Sequence, residues 1–171
     1  MIRLVIGQNT IGKSLYLINE SKKYKLSEIE TNFFNDGILS DRIEYDHTRT
    51  EILRNLLDAD EVITDTTLLG FKNPDIVCSE AFIKLFSLLC RNKQIFFLDE
   101  PDKMLRLNEK ILFINFLAQA ENTFEDIYIV THNEQMLSLP KRKLYTVTMD
   151  KNTSKLQLTE VGEDKKYEII D

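Results

Sequence analysis

This chain of 171 residues, 43% hydrophobic and 29% charged, is long enough for one domain with a core of its own. No apolar run approaches the roughly 20 residues of a membrane-spanning helix, and the amino terminus lacks the layout of a signal peptide, so we expect a cytoplasmic protein without a membrane segment. The formal net charge of −6 makes direct nucleic-acid binding unexpected. We interpret the short basic run Lys141-Arg142-Lys143 as a solvated loop.

The first predicted elements are a buried strand and a helix. The segment "MIRLVIG" is short, apolar and rich in β-branched residues, which is typical of a buried strand. A helix is predicted from Lys13 to about Lys22, and a turn is predicted at Asn35-Asp36-Gly37.

A second helix is predicted from Arg49 to Asp58, and a strand in "EVITDTT" after it. Thr48 and Glu51 have the spacing of a capping box, in which two side chains at the start of a helix each accept a hydrogen bond from the other residue's backbone. We therefore expect the helix to begin next to Thr48.

The second half of the chain alternates between helical and strand patterns. Ser79 predicts the start of a helix, because apolar residues follow it at helical spacing. The segments "QIFFLDEPD" and "DIYIVTH" predict two buried strands, and "NEKILFINFLAQAE" between them predicts a helix. The segments "KLYTVTMD" and "KLQLTEV" predict an antiparallel hairpin. The whole pattern predicts an α/β fold with a mainly parallel sheet flanked by helices and a C-terminal antiparallel hairpin.

The stretch "GQNTIGKS" fits the phosphate-binding pattern G-x-x-x-x-G-K-[ST], and it lies between a predicted strand and a predicted helix, as that pattern requires. Its two glycines permit backbone turns that direct N–H groups at phosphate oxygens. Lys13 is expected to reach the β- and γ-phosphates, and the Ser14 hydroxyl to bind Mg²⁺. The predicted nucleotide-binding residues are Gly7, Gln8, Asn9, Thr10, Ile11, Gly12, Lys13 and Ser14.

A pair of acids ends the predicted strand in "IFFLDE". In open α/β sheets, ligands bind at the carboxyl ends of the strands, where these acids are expected to lie. Asp99 is predicted to bind Mg²⁺ directly or through water, and Glu100 to act as the general base toward the attacking water.

Two histidines occur in the chain, and we interpret them differently. His132 ends another buried strand, where it could contact the γ-phosphate and respond to its loss. His47 precedes a predicted helix cap and is interpreted as structural or exposed.

The segments "GQNTIGKS", "FFLDEPD" and "IVTHNEQML", in that order, resemble the Walker A, Walker B and switch-histidine motifs of ABC-type P-loop ATPases. The resemblance is to the soluble branch that includes the SMC-, RecF- and OLD-like proteins, and it covers residues 1–21 and 77–161. It implies one ABC-type ATP-binding domain over residues 1–171, with a reduced helical subdomain over about 26–93. It also implies a sandwich of two copies around two ATP molecules, opened by hydrolysis, and the roles given above for Lys13, Ser14, Asp99, Glu100 and His132.

The chain departs from that family in the parts that face a second copy. Ser79 and Glu80 stand where the glycine-containing signature sequence is expected, and Ser79 could donate to a partner's γ-phosphate or be only a helix cap. No glutamine corresponds to the family's Q-loop residue, for which Asn32 or Asn35 could substitute. Arg106 stands where many relatives have aspartate.

The leading hypothesis is a Mg²⁺-dependent ATP-binding protein with slow hydrolysis, in which ATP-driven dimerisation or docking of a different protein acts as a switch. The first alternative is a nucleotide-dependent binding module, or decoy, that docks onto a cognate ABC-type ATPase without turnover. The second is a small P-loop kinase, for which Arg42, Arg49 and Arg54 are candidates for a phosphate-covering lid.

Overall fold

Five strands form one sheet in the part of the chain that the computed structural model describes, which is residues 1–7, 12–23, 44–59, 78–92 and 94–162. The strands are β1 (Ile2–Ile6), β2 (Ile95–Asp99), β3 (Asp126–Val130), β4 (Arg142–Met149) and β5 (Leu156–Val161). The helices among these residues are α1 (Lys13–Lys23), α2 (His47–Leu57), α3 (Glu80–Leu89) and α4 (Leu107–Ala120), with short 3-10 turns at Glu121–Thr123 and Glu134–Ser138.

The strand order β2-β3-β1-β4-β5 places the first strand at the centre of the sheet. The pairs β2–β3, β3–β1 and β1–β4 are parallel, and only the last pair, β4–β5, is antiparallel. The predicted α/β fold, with a mainly parallel sheet and a C-terminal antiparallel hairpin, is therefore confirmed. Because β1 pairs with β3 on one side and with β4 on the other, the chain changes direction across the sheet beside β1, which is where open α/β sheets bind ligands.

Both faces of the sheet are covered. Side chains alternate between the two faces along each strand, so each strand contributes to two separate cores. One face packs with α2, α3 and α4 in the larger core, to which the strands contribute Ile2, Leu4, Ile6, Phe96, Leu98, Ile127, Ile129 and Leu144. The other face packs with Leu17 of α1 in a smaller core that contains Val5, Phe97, Tyr128, Val130 and Val147. Burial on both faces explains why these strands read as continuous apolar runs in the sequence. No helix among the described residues is long and apolar enough to cross a membrane.

The start of α2 differs from the prediction. The helix begins at His47, and its N-cap is Asp46, whose carboxylate accepts a hydrogen bond from the Arg49 N–H at 2.9 Å. The predicted capping box of Thr48 and Glu51 is therefore wrong. Asp46 is held in place because its own N–H donates to the carbonyl oxygen of Cys90 at 2.7 Å, a contact with the far end of α3.

The other predicted elements among the described residues lie within a few residues of their expected bounds. Ser79 caps α3 as predicted. The interpretation of the basic run as a loop is wrong, because Arg142 and Lys143 begin β4 and pair with β1. The predicted turn at 35–37, the strand in "EVITDTT", and the candidates Asn32, Asn35 and Arg42 lie outside the described residues.

Arg49, one candidate for a kinase lid, is instead a fully buried part of the core. Its guanidinium donates to Thr123 Oγ1 at 2.8 Å, to the Thr123 carbonyl oxygen, and to the Arg91 carbonyl oxygen at 2.8 Å. Its Cζ atom lies 4.2 Å from the centre of the Phe124 ring. The side chain thus joins α2 to the ends of α3 and α4, and it is not available to cover phosphates.

Replacing Arg49 with lysine is expected to lower the free energy of unfolding by about 1–3 kcal/mol, because one ammonium cannot reach all of these acceptors and leaves buried carbonyl groups without donors. Denaturant unfolding measures the change. The control is Arg54→Lys on the same helix, where the half-exposed side chain pairs with Glu51 and little change is expected. Equal losses in the two variants would contradict the structural role of Arg49.

Candidate active site

The strand register brings the ends of three parallel strands to one edge. Val130 of β3 pairs with Val5 of β1 on one side and with Asp99 of β2 on the other. The pairing continues one step further, because the Glu100 N–H donates to the Val130 carbonyl oxygen at 2.9 Å and the Thr131 N–H donates to the Val5 carbonyl oxygen at 3.2 Å. The segments that follow the three strands therefore begin side by side.

The loop after β1 begins and ends at glycines with left-handed backbone. Gly7 has φ 123° and Gly12 has φ 77°, and residues with side chains rarely adopt either value. Gly12 is followed directly by α1, whose Tyr16 N–H donates to the Gly12 carbonyl oxygen at 2.9 Å. Predicted binding residues Gln8, Asn9, Thr10 and Ile11 lie outside the described residues. The glycines thus stand between the end of a strand and the N-terminus of a helix, an arrangement that suits an anion.

Gly12→Ala is expected to destabilise the protein by about 1–2 kcal/mol, the cost of left-handed backbone for a residue with a side chain. The added Cβ would also lie 3.2 Å from Leu156 Cδ1 of β5, which is a tight contact. The matched control is Gly162→Ala, because a Cβ there has no neighbour within 4 Å among the described atoms. Thermal unfolding compares the two variants, and equal stability would contradict the strained geometry at Gly12.

Lys13 is nearly buried at the start of α1, where 4% of its surface is exposed. Its ammonium Nζ donates to the Gly7 carbonyl oxygen at 2.6 Å, so the lysine spans the loop from end to start. Burial lowers the pKa of Lys13, and the negative charges of Glu100 and Asp99 partly oppose that effect. A buried cation is therefore held between Gly7 and the start of α1, beside two carboxylates.

Ser14 and Asp99 are in contact between α1 and the end of β2. Burial raises the pKa of Asp99, while a hydrogen bond with the Ser14 side chain lowers it. A hydroxyl beside a half-buried carboxylate is a donor set that fits Mg²⁺, which typically binds one or two protein oxygens and completes its shell with water and phosphate oxygens. The described residues contain no group of three His, Cys, Asp or Glu side chains that could hold a metal, so a bound Mg²⁺ would depend on Ser14, Asp99, water and phosphate oxygens.

Glu100 adopts a left-handed backbone conformation, with φ 46°, which is uncommon for a residue other than glycine. Such a conformation costs about 1–3 kcal/mol and is concentrated at functional sites. The carboxylate lies between two basic side chains: Oε1 lies 3.0 Å from His132 Nε2, and Oε2 lies 3.3 Å from Lys103 Nζ. His132 Nε2 is buried and close to Glu100 without the alignment of a hydrogen bond.

Sequence reasoning missed two residues that line the same region. Asp102 and Asn133, together with Glu100, Lys103, Lys110, His132 and Glu134, line a cavity of about 500 Å³. Asn133 Nδ2 donates to Asp102 Oδ2 at 2.8 Å. Only their proximity in sequence, two residues after Glu100 and one after His132, could have indicated that they belong to the site.

Ser79, the candidate signature residue, is bound within the chain to Glu109 of α4. Its hydroxyl donates to Glu109 Oε1 at 2.8 Å, its N–H donates to Glu109 Oε2 at 2.9 Å, and its hydroxyl oxygen accepts from the Phe82 N–H at 3.2 Å. Glu109 is 2% exposed and was also missed from the sequence.

The remaining candidates near helix starts are exposed. Glu80 pairs with Lys84 on the surface of α3, at 2.9 Å, and this contact lowers its pKa. His47 is exposed in the first turn of α2, in agreement with its interpretation from the sequence.

The similarity to known proteins lies in the fold. No protein-family model and no curated protein matches the sequence. Among solved structures, RNase-L Inhibitor superposes with a TM-score of 0.55 at 15% identity, over 95% of this chain and 35% of that one. The archaeal ribosome recycling factor aABCE1, in complex with the archaeal ribosomal stalk protein aP1, superposes with a TM-score of 0.53 at 15% identity, over 92% of this chain and 33% of that one.

A candidate cobalt transport ATP-binding protein superposes with a TM-score of 0.53 at 16% identity, over 85% of this chain and 64% of that one. This chain spans less than two thirds of the length of each of these three proteins. At such identities the likeness concerns the fold, and the chain has the α/β fold of ABC-type P-loop ATPase domains.

Proposed function

We propose that this chain binds Mg-ATP at residues 7–14 and hydrolyses it slowly, using the bound nucleotide to control association with a second copy or with another protein. The observation that carries the proposal is the convergence of Lys13, the Ser14–Asp99 pair, and the Glu100–His132 pair at one edge of three parallel strands. Each group is of the chemical type that phosphate transfer to water requires.

Each residue in this proposal has one task. Lys13, released from the Gly7 carbonyl oxygen, neutralises charge on the β- and γ-phosphates. Ser14 and Asp99 hold Mg²⁺, and the metal when bound supplies positive charge to the phosphate oxygens. Glu100 accepts the proton of the attacking water, and His132 contacts both Glu100 and the γ-phosphate.

Electrostatics of the free protein support nucleotide binding at this edge. Burial lowers the pKa of Lys13 and raises that of Asp99, so both charged forms are costly when the site contains protein alone. A phosphate beside Lys13 and a divalent cation beside Asp99 would offset both costs. Binding of Mg-ATP is therefore expected to stabilise the folded protein, by an amount that grows with the logarithm of the ligand concentration above Kd.

The motifs "FFLDEPD" and "IVTHNEQML" also lead us to propose membership of the soluble SMC-, RecF- and OLD-like branch, as a compact single domain with an altered signature. For Ser79 the proposal keeps both roles open: it donates to a partner's γ-phosphate, with Glu80 beside it, or it serves only as the N-cap of α3. In the free chain the Ser79 hydroxyl donates to Glu109, so the first role requires the contact to open. This requirement supports a low rate, because loss of one such donor typically costs about 10²–10³ in rate.

The same contact favours the second candidate, a binding module that docks onto a cognate ATPase without turnover. If Glu109 keeps the Ser79 hydroxyl, a partner copy gains no donor there, and ATP would act only as a docking signal. The kinase alternative loses one of its three candidates for a phosphate-covering lid, because Arg49 is buried within the core.

Steady-state hydrolysis of Mg-ATP over a range of protein concentrations separates these candidates. A rate that rises more than linearly with protein concentration supports a working homodimer. A linear, background rate together with thermal stabilisation by Mg-ATP supports the binding module. If Mg-ATP neither stabilises the protein nor is hydrolysed, the proposed function is wrong.

A further inference from the structure

Glu100 and His132 are carried by two loops that extend past the end of strand pairing. The Glu100 N–H donates to the Val130 carbonyl oxygen, and beyond that bond β2 and β3 no longer pair. Glu100 is then followed by a turn that leads to α4, and His132 by a 3-10 turn. The 3.0 Å distance between the Glu100 carboxylate and the His132 ring therefore depends on contacts made by the loops themselves.

Asp102 and Asn133 connect these loops. The Asn133 amide Nδ2 donates to Asp102 Oδ2 at 2.8 Å, across 31 positions of the sequence. Asp102 is 5% exposed, so its hydrogen bond with Asn133 is largely shielded from bulk water. A charge-assisted hydrogen bond in such a place is strong and directional.

Each of the two residues is also fixed within its own loop. The Asn133 N–H donates to Thr131 Oγ1 at 2.9 Å, and Asn133 Oδ1 accepts from the Gln135 N–H at 3.0 Å. The Asp102 carbonyl oxygen accepts from the Leu105 N–H at 3.1 Å. Because both ends are anchored, a change in the Asp102–Asn133 distance moves both loops.

We propose that this hydrogen bond, here called the loop clasp, sets the position of His132 against Glu100, so that Asp102 and Asn133 are positioning residues. Neither side chain is assigned a contact with nucleotide. The consequence for ATP hydrolysis rests on the proposed function, whereas the effect on the His132 ring exists in the free protein. The two can therefore be tested separately.

The sharpest test exchanges the two groups. In Asn133→Asp, two carboxylates face each other and the clasp is replaced by repulsion. In the double variant Asp102→Asn/Asn133→Asp, the amide introduced at position 102 donates to the carboxylate introduced at position 133, whose other oxygen still accepts from the Gln135 N–H. In the double variant, as in the wild type, the loop clasp pairs one carboxylate with one amide.

The readout is the NMR spectrum of the histidine rings at one pH, without nucleotide. The chain has two histidines, and exposed His47 on α2 serves as an internal reference. We expect the His132 ring resonances to move in Asn133→Asp and to return in the double variant, while those of His47 stay unchanged. Asn115→Asp, on the exposed surface of α4, is the matched control and should move neither histidine.

In Mg-ATP hydrolysis, Asn133→Asp is expected to lower kcat by about 10- to 100-fold with KM for ATP nearly unchanged, because displaced catalytic groups reduce the chemical step. The double variant should recover most of that loss. If Asn133→Asp does not fold, Asp102→Ala removes the clasp without adding charge, and it should move the His132 resonances as well.

Unchanged His132 resonances in a folded single variant, or no recovery in the double variant, would overturn the clasp. Absence of ATP hydrolysis in the wild type would instead count against the proposed function, and the NMR comparison would still decide the clasp.

Discussion

Replacing Glu100 with glutamine is expected to lower the rate of Mg-ATP hydrolysis by about 10²–10⁴, the range for removal of a general base. The amide has nearly the shape of the carboxylate but cannot accept the proton of the attacking water. ATP binding should persist, since Lys13 and the Ser14–Asp99 pair are unchanged. Single-turnover hydrolysis and equilibrium binding of ATP, measured on the same preparation, separate the two effects.

Glu134→Gln is the matched control for this experiment. Glu134 lines the same cavity as Glu100, but it is exposed, so the same chemical change there should leave the rate within about twofold. A wild-type rate in Glu100→Gln would assign the proton to a different acceptor. Loss of ATP binding together with the rate would mean that Glu100 shapes the site.

Replacing Lys13 with alanine is expected to raise the Kd for Mg-ATP by about 10²–10⁴. Two charge-assisted hydrogen bonds to the phosphates, each worth about 1.5–3 kcal/mol, account for that range. The free energy of unfolding should change by no more than about 1 kcal/mol, because the lost bond to the Gly7 carbonyl oxygen is offset by removal of a buried ammonium whose pKa burial already lowers. Calorimetric titration and denaturant unfolding measure the two quantities.

Lys22→Ala, at the exposed end of the same helix, serves as the control and should alter neither quantity appreciably. Unchanged ATP affinity in Lys13→Ala would remove the phosphate-binding role of residues 7–14. Unfolding of the variant would show that the lysine is part of the structure, and nucleotide binding would then have to be tested with Ser14→Ala.

The sheet could be predicted from the sequence because its strands are buried on both faces. An apolar run such as Ile95–Leu98 has few ways to be buried other than in the interior of a sheet, and the polar residues that end it mark the carboxyl edge. The candidate residues followed from this geometry, since parallel strands bring Asp99 and His132 to one edge whatever loops connect them.

The start of α2 could not be predicted in this way. Asp46 and Thr48 are both good N-cap residues, and local preference does not choose between them. The choice is made by the contact of the Asp46 N–H with the Cys90 carbonyl oxygen, which lies 44 positions further along the chain and is brought close only in the folded protein. For the same reason the sequence did not reveal that Arg49 is buried.

Two contacts that support the structure could not be found from the sequence, although Ser79 itself was a candidate. Asp102 meets Asn133 across 31 positions, and Ser79 meets Glu109 across 30. These four residue types are common, and none has a spacing that marks it as a partner of the other. A sequence motif identifies a residue whose position is set by the end of one strand. A residue that connects two loops can be identified only when the packing of both loops is known.

The left-handed backbone of Glu100 also bears on how this sequence would change under different selection. Glycine, and to a lesser degree asparagine, adopt that conformation more readily than glutamate. A library selected for folding alone would therefore drift away from glutamate at position 100. One selected for the chemistry of the site would retain it at the expense of stability. The frequency of glutamate recovered at position 100 would thus show whether the library was selected for stability or for the chemistry of the site.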